Sequence, residues 1–133
     1  MNLITLINNN KNQFDKKFNL LLKDNLDSSI LSKAMFYGSI NGGKRIRPFL
    51  VRQASKMTNI SKNDSFIISA CIESIHSYSL IHDDLPCMDN DSVRRGKPST
   101  HIKFGEASAV LAGNSLLTLA FEIIADKNYL IKP

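Results

Sequence analysis

The stretch Glu106-Ala107-Ser108-Ala109-Val110-Leu111-Ala112-Gly113-Asn114-Ser115-Leu116-Leu117-Thr118-Leu119-Ala120-Phe121-Glu122-Ile123-Ile124-Ala125 decides the fold class. It holds a single Gly, no Pro and only two charges, Glu106 and Glu122, so nothing in it interrupts a helix. Apolar residues fall on nearly every side, and such a helix must be wrapped by other helices. Asn114, Ser108, Ser115 and Glu122 argue for the core of a soluble protein rather than a membrane span.

Outward from this segment the chain stays helical. Leu3, Leu6, Ile7, Phe14, Phe18, Leu21 and Leu22 recur at three- and four-residue steps and predict a helix over 3–26, with Asn8, Asn9 and Asn10 its weak point. A second helix is expected over 29–40, stopped by Gly42-Gly43. A third begins near Pro48, which a first helical turn tolerates, and ends before Asn59. The fourth covers 64–82, with Ile67, Ile68, Cys71, Ile75, Tyr78 and Ile81 as its apolar face and Pro86 beyond its end. No run alternates with period two, so no sheet is expected, and the polar stretch 83–99 reads as a loop. The expectation is an all-α bundle of about five helices. The wrapped helix lies near the end of the sequence, which predicts that some of its walls come from an oligomer or from the rest of a larger domain.

Composition narrows the classes. The 133 residues are 43% apolar and 22% charged, which excludes collagen-like and low-complexity chains. A net charge of +5 suits anionic partners. Nucleic acid is disfavoured among them, because the basic residues form no stripe interleaved with aromatics and Trp is absent. Cys71 and Cys87 offer neither a disulfide framework nor a CxxC pair, which points to a reducing, cytoplasmic setting. Met1–Ile7 lacks the basic start and cleavage site of a secretory leader.

The chemistry concentrates in Ile81-His82-Asp83-Asp84-Leu85-Pro86-Cys87-Met88-Asp89-Asn90-Asp91. Carboxylates at a helix C-terminus meet the partial negative end of the macrodipole and repel one another. A divalent cation is the simplest compensation, and Mg²⁺ takes carboxylate oxygens while sharing its other positions with water and phosphates. On a continuous helix, at about 100° per residue, Asp89 would point about 120° away from Asp83. Pro86 ends the regular helix, so the chain is expected to curl and return Asp89 toward Asp83. A solvated acidic loop is the alternative. The second segment, Gly42-Gly43-Lys44-Arg45-Ile46-Arg47-Pro48, joins a flexible turn, three cations and a helix N-terminus, which together favour anions; the alternative is a solvated basic turn. Arg94-Arg95-Gly96-Lys97 follows the acidic cluster closely enough either to neutralise it or to flank a metal-bound phosphate. His76 lies two helical turns before Asp83, on nearly the same face.

Gly43-Lys44-Arg45-Ile46-Arg47-Pro48, the run from Glu73 to Asp89, Arg94-Arg95-Gly96, Phe104-Gly105-Glu106-Ala107 and Leu111-Ala112-Gly113 occur in an order that closely resembles bacterial farnesyl diphosphate synthases, short-chain trans-prenyltransferases of the isoprenoid synthase fold. The resemblance is strongest over 34–124, and the DDxxxxD form of the first aspartate-rich motif carries most of it. It implies that the sequence 1–133 is a partial polyprenyl synthetase domain, the front portion of that helical bundle. It further implies condensation of dimethylallyl or geranyl diphosphate with isopentenyl diphosphate to give farnesyl diphosphate. Asp83 and Asp89 would then bind Mg²⁺ that grips the allylic diphosphate, with Asp84 a supporting carboxylate and Arg94 contacting that diphosphate. Lys44, Arg47, His76 and Arg95 would hold isopentenyl diphosphate, and Tyr78 would cap the pocket under the growing chain.

Departures accompany the matches. Family chains are about twice as long and carry a second aspartate-rich motif, whereas no Asp-Asp pair occurs here after Asp84. Phe36, Gly38 and Asn114 stand where Arg, Ser and Asp are usual. The chain alone is therefore expected to be inactive. A family-type homodimer, a second chain supplying the missing half, or a non-catalytic role as helical partner of another prenyltransferase remain the open alternatives.

Overall fold

Side-chain caps begin three of the helices in the computed structural model, which describes residues 2–126. Asn2 accepts from the Thr5 N–H and opens α1 (Leu3–Asn25). Ser29 accepts from Ser32 and opens α2 (Ile30–Ile40), and Ser61 accepts from Asp64 and opens α4 (Lys62–Asp83). Each cap satisfies an N–H that the first helical turn leaves without a partner. Between them lies α3 (Ile46–Met57), and after α4 come the two-residue strands β1 (Val93–Arg94) and β2 (Lys97–Pro98), then α5 (Thr100–Phe104) and α6 (Glu106–Ala125).

The all-α architecture is as expected, with local corrections. α2 is capped at Asn41, and Gly42 and Gly43, at φ 85° and 107°, form the link that follows. α3 starts two residues before Pro48, whose missing N–H falls in the first turn where no helical bond is lost. The Asn-rich part of α1 is helical and buries Asn10. The stretch read as a loop holds an antiparallel ribbon, Val93 opposite Pro98 and Arg94 opposite Lys97. Its turn, Arg95-Gly96, has positive φ at both residues, as tight hairpins require. The short α5 follows, so six helices replace the expected five among the described residues.

The core joins Phe14, Phe18 and Leu22 of α1, Ala34 and Met35 of α2, Ile67, Cys71 and Ile81 of α4, and Ala109, Leu116 and Ile123 of α6. α4 lies centrally, against α6, α3 and α2. Its apolar face differs from the expected one: Ile67, Cys71 and Ile81 are buried, but Ile75 is exposed. Ser65, Ser69, Glu73, Ser74 and Ser77 fill the buried side instead. Small residues on both helices explain this, because they let the α4 and α6 backbones approach closely. At Gly113 a Cβ would lie 2.3 Å from Nε2 of His82. The hydroxyls of Ser69 and Ser77 donate to the carbonyls of Ser65 and Glu73, at 2.6 and 2.9 Å, which makes their burial tolerable.

α6 is wrapped on one side only. Ala109, Ala112, Gly113, Leu116, Ala120 and Ile123 face the core, whereas Val110, Leu111, Phe121 and Ile124 are exposed, Phe121 by 62%. Length and composition alone would let α6 cross a membrane, at a mean hydropathy of 1.6. Its inner face is that of a core helix packed on α4 and α2.

Candidate diphosphate site

The last turn of α4 does not run on into solvent. Asp84 caps the helix, and beyond it the chain folds back through successive turns. The N–H of Met88 donates to the Leu85 carbonyl at 2.9 Å, that of Asp89 to the Asp83 carbonyl at 2.8 Å, and that of Asn90 to Leu85 at 3.1 Å. Asp89 thus returns beside Asp83, as the break at Pro86 predicts. Asp83 is half-buried and Asp89 exposed.

Asp84 has a different environment. Its carboxylate is 2% exposed and accepts a two-pronged grip from Arg94: Nε at 3.0 and 2.7 Å to the two oxygens, and Nη2 at 2.6 Å to Oδ1. The bonds to Asp84 hold the Arg94 guanidinium above its ordinary pKa, so it is permanently charged. Asp84 therefore holds an arginine, whereas the half-buried Asp83 and the exposed Asp89 lie outside that ion pair. Among the described residues no three His, Cys, Asp or Glu side chains converge on one point. Two hard, accessible carboxylates fit Mg²⁺, which commonly binds through one or two protein oxygens and keeps its remaining positions for water and phosphate. They do not fit a closed structural zinc site.

The basic segment separates into two roles. Lys44 and Arg47 are exposed. Arg45 between them is buried, in the left-handed region at φ 52°. Its Nε donates to Asp15 at 2.7 Å, its Nη1 to Glu73 at 2.7 Å and its Nη2 to the Ser39 carbonyl at 3.0 Å. The rings of Phe14 and Phe18 lie 5.8 Å from the guanidinium carbon. Arg45 pins the loop to α1, α2 and α4, and that anchoring directs its two neighbours outward. Three cations within four residues do not reveal which is buried. The available signal was Glu73, a carboxylate on the inner side of a helix, which requires a cationic partner.

The ribbon brings the acidic and basic segments together. Arg94 grips Asp84, and the next residue, Arg95, donates from Nη1 to the Gly42 carbonyl. Its guanidinium covers Gly43 so closely that a Cβ there would lie 2.8 Å from Nη1, which explains a glycine at that position. Burial and the Arg45 charge lower the pKa of Arg95 from its ordinary value. His76 sits half-buried in the same positive field; burial first and Arg47 next push its pKa below 6.5, so its imidazole is neutral near pH 7. Tyr78 is half-buried, with its ring edge-on to His82 at 4.7 Å between centroids. His82 in turn bonds through Nε2 to the Val110 carbonyl at 3.1 Å.

The result is a surface with the acidic turn of Asp83 and Asp89 on one side, the basic segment on the other, and two adjacent arginines tying them together. Comparison with known proteins places the chain in a family. The polyprenyl synthetase family model matches residues 28–132. Farnesyl diphosphate synthase of Escherichia coli (strain K12) is 55% identical over 94 residues, covering 71% of this chain and 31% of that protein. The same enzyme of Buchnera aphidicola subsp. Schizaphis graminum is 46% identical over 118 residues, covering 88% and 40%. The crystal structure of an FPP/GFPP synthase from Zymomonas mobilis superposes with a TM-score of 0.88 at 40% identity, over 96% of this chain and 48% of that one. The chain thus spans about a third to two-fifths of the length of these curated relatives.

Proposed function

Because the chain belongs to the polyprenyl synthetase family, we propose that it forms the diphosphate-gripping front of a trans-prenyltransferase site, serving the condensation of an allylic diphosphate with isopentenyl diphosphate toward farnesyl diphosphate. In this reading Asp83 and Asp89 hold Mg²⁺. When bound, the ion supplies positive charge against the charge that develops on the departing diphosphate. Asp84 holds Arg94 in place through Nε and Nη2, which leaves Nη1 to bind the allylic diphosphate without reorganisation during reaction. Lys44, Arg47, His76 and Arg95 take isopentenyl diphosphate, Arg47 as a bidentate fork and Lys44 as a point charge. Tyr78, stiffened against His82, serves as the floor under the growing chain and sets product length.

The single observation that carries this reading is the adjacent pair Arg94 and Arg95, one bonded to the acidic motif and the other to the glycine turn. It couples two anion-binding sides that are distant in sequence. The test is calorimetry with isopentenyl diphosphate. Binding that needs no Mg²⁺ and weakens about tenfold or more in Arg47→Ala supports the assignment. Equal affinity in the variant contradicts it. The two free cysteines, Cys71 buried and Cys87 exposed, agree with a cytoplasmic setting.

A second reading, a non-catalytic helical partner of another prenyltransferase chain, is favoured by the exposed outer face of α6. Activity of a full-length family member that rises on adding this chain, with no turnover by this chain alone, distinguishes it.

A further inference from the structure

A ring can serve as a floor under a growing chain only if it keeps one place, and a half-buried Tyr78 has other rotamers open to it unless a neighbour fixes it. Tyr78 packs against the core cluster. One helical turn later on the same face of α4 stands His82, also half-buried. The two rings meet edge-on, 69° between planes and 4.7 Å between centroids, a favourable geometry for an aromatic pair.

His82 is held in turn from α6. Its Nε2 lies 3.1 Å from the Val110 carbonyl. A carbonyl only accepts, so that nitrogen carries the proton and donates it. Three residues further along α6, and on the same side of that helix, Gly113 meets the same ring. Nε2, Cδ2 and Cε1 of His82 are the atoms nearest to where a Cβ at Gly113 would stand, so the glycine leaves the imidazole just enough room. The bond fixes the ring directionally, and the packing blocks its movement toward α6. A chain of contacts therefore runs from α6 through His82 to Tyr78. None of Val110, Gly113 and His82 is among the residues assigned above to diphosphate or metal.

We propose that His82 is a positioning residue for chain length: α6 fixes the imidazole, and the imidazole fixes where the Tyr78 ring stands. The inference rests on Tyr78 being the floor. It adds that selectivity among prenyl chains is governed from α6, so a change at position 82 or 113 retunes it while Tyr78 itself is kept. A merely structural His82 would behave differently, because its loss would weaken every prenyl diphosphate by the same factor.

The test is calorimetry in Mg²⁺ on the 133-residue chain with two non-ionising probes, a ten-carbon and a twenty-carbon prenyl thiolodiphosphate. The probes share a headgroup, so any disturbance of the neighbouring Asp83 scales both affinities alike, and their ratio reads the floor. The wild-type chain should favour the shorter probe, and Tyr78→Ala should erase that preference. His82→Ala should lower the ratio by about threefold or more, the size of one edge-on aromatic contact. His82→Phe keeps a ring beside Tyr78 but cannot donate to Val110, and it should lower the ratio similarly. His82→Gln still carries a donor and should retain more of the preference than His82→Phe. The Tyr78 ring resonances should move in Gly113→Ala, where the new methyl falls on the His82 ring. If neither probe binds, or Tyr78→Ala leaves the ratio unchanged, the floor reading fails and this inference with it. If Tyr78→Ala erases the preference while His82→Ala and His82→Phe keep the wild-type ratio, the floor stands and its control from α6 is overturned. Unmoved Tyr78 resonances in Gly113→Ala would overturn that control as well.

Discussion

α4 and α6 are helices of similar length packed on one another, and each leaves large apolar side chains outside while small or polar ones share its buried side. α4 buries Ser65, Ser69, Glu73, Ser74 and Ser77 and exposes Ile72 and Ile75. α6 buries Ala109, Ala112, Gly113 and Ala120 and exposes Leu111, Phe121 and Ile124. Hydrophobicity alone did not decide which side turned inward; size and satisfiable polarity did. α4 carries Asp83 and Asp84 at its end, and its polar inner side is anchored by Arg45, Asp15 and Glu73, so its position is fixed by directional bonds. α6 supplies close approach through small residues, buries Leu116, Leu119 and Ile123 beside them, and leaves Leu111, Phe121 and Ile124 outside.

The contrast breaks most readily at the buried charges. Glu73→Ala leaves Arg45 buried with Asp15 alone, and loss of one partner of such a pair costs about 3–5 kcal/mol. Urea unfolding measures it, and an unchanged midpoint would show that Arg45 is not the anchor of the loop. Replacing both residues by Met should cost much less than the single change.

A smaller effect is expected where the helices touch. Gly113→Ala places a methyl against the His82 imidazole, and overpacking of this kind costs about 1–3 kcal/mol. The ring should swing away from the Val110 carbonyl, which its NMR resonances report. Wild-type stability and an unmoved ring would mean that the two helices sit further apart.

The outer face of α6 sharpens the comparison in the opposite direction. Phe121→Glu should change unfolding by no more than about 0.5 kcal/mol, because that side chain contributes little to the packed core. The exposed apolar stripe favours self-association, and the same change should reduce it in sedimentation. Ser74, fully buried with an unpartnered Oγ, is the matching probe on α4. Ser74→Ala should be neutral or slightly stabilising, within about 1 kcal/mol.

The smallest effect is a pH dependence. His76 releases its proton more readily in the folded chain than in the unfolded one. Below the ordinary value of 6.5, down to the lowered folded value, the unfolded chain therefore holds more protons, and stability falls as pH drops through that window. Above it His76 contributes no slope. His76→Gln should remove this part of the dependence, and a slope of the same size in the variant would assign it elsewhere.

Much of this was legible from residue order. The bounds of α6 follow from an uninterrupted apolar run after Gly105, and the return of Asp89 to Asp83 follows from Pro86. Arg45 was not legible as distinct from Lys44 and Arg47, because burial depends on Asp15 and Glu73, tens of residues away. The inner face of α4 was misread at Ile75 for a related reason: apolar periodicity marks what prefers burial, whereas the small side chains of α6 decide what fits. The ribbon escaped notice because two-residue strands have no periodicity, and only the Arg95-Gly96 turn marked it.

The central claim is that Asp83 and Asp89 form the open pair through which a diphosphate is gripped, while Asp84 is spent on Arg94. Calorimetry with a non-ionising allylic diphosphate analogue tests it most directly, with and without Mg²⁺, on the wild-type chain and on Asp83→Ala and Asp89→Ala. The predicted result is Mg²⁺-dependent binding that both substitutions weaken by about tenfold or more and that chelator abolishes. Binding of equal strength in both variants, or binding indifferent to chelator, would contradict it.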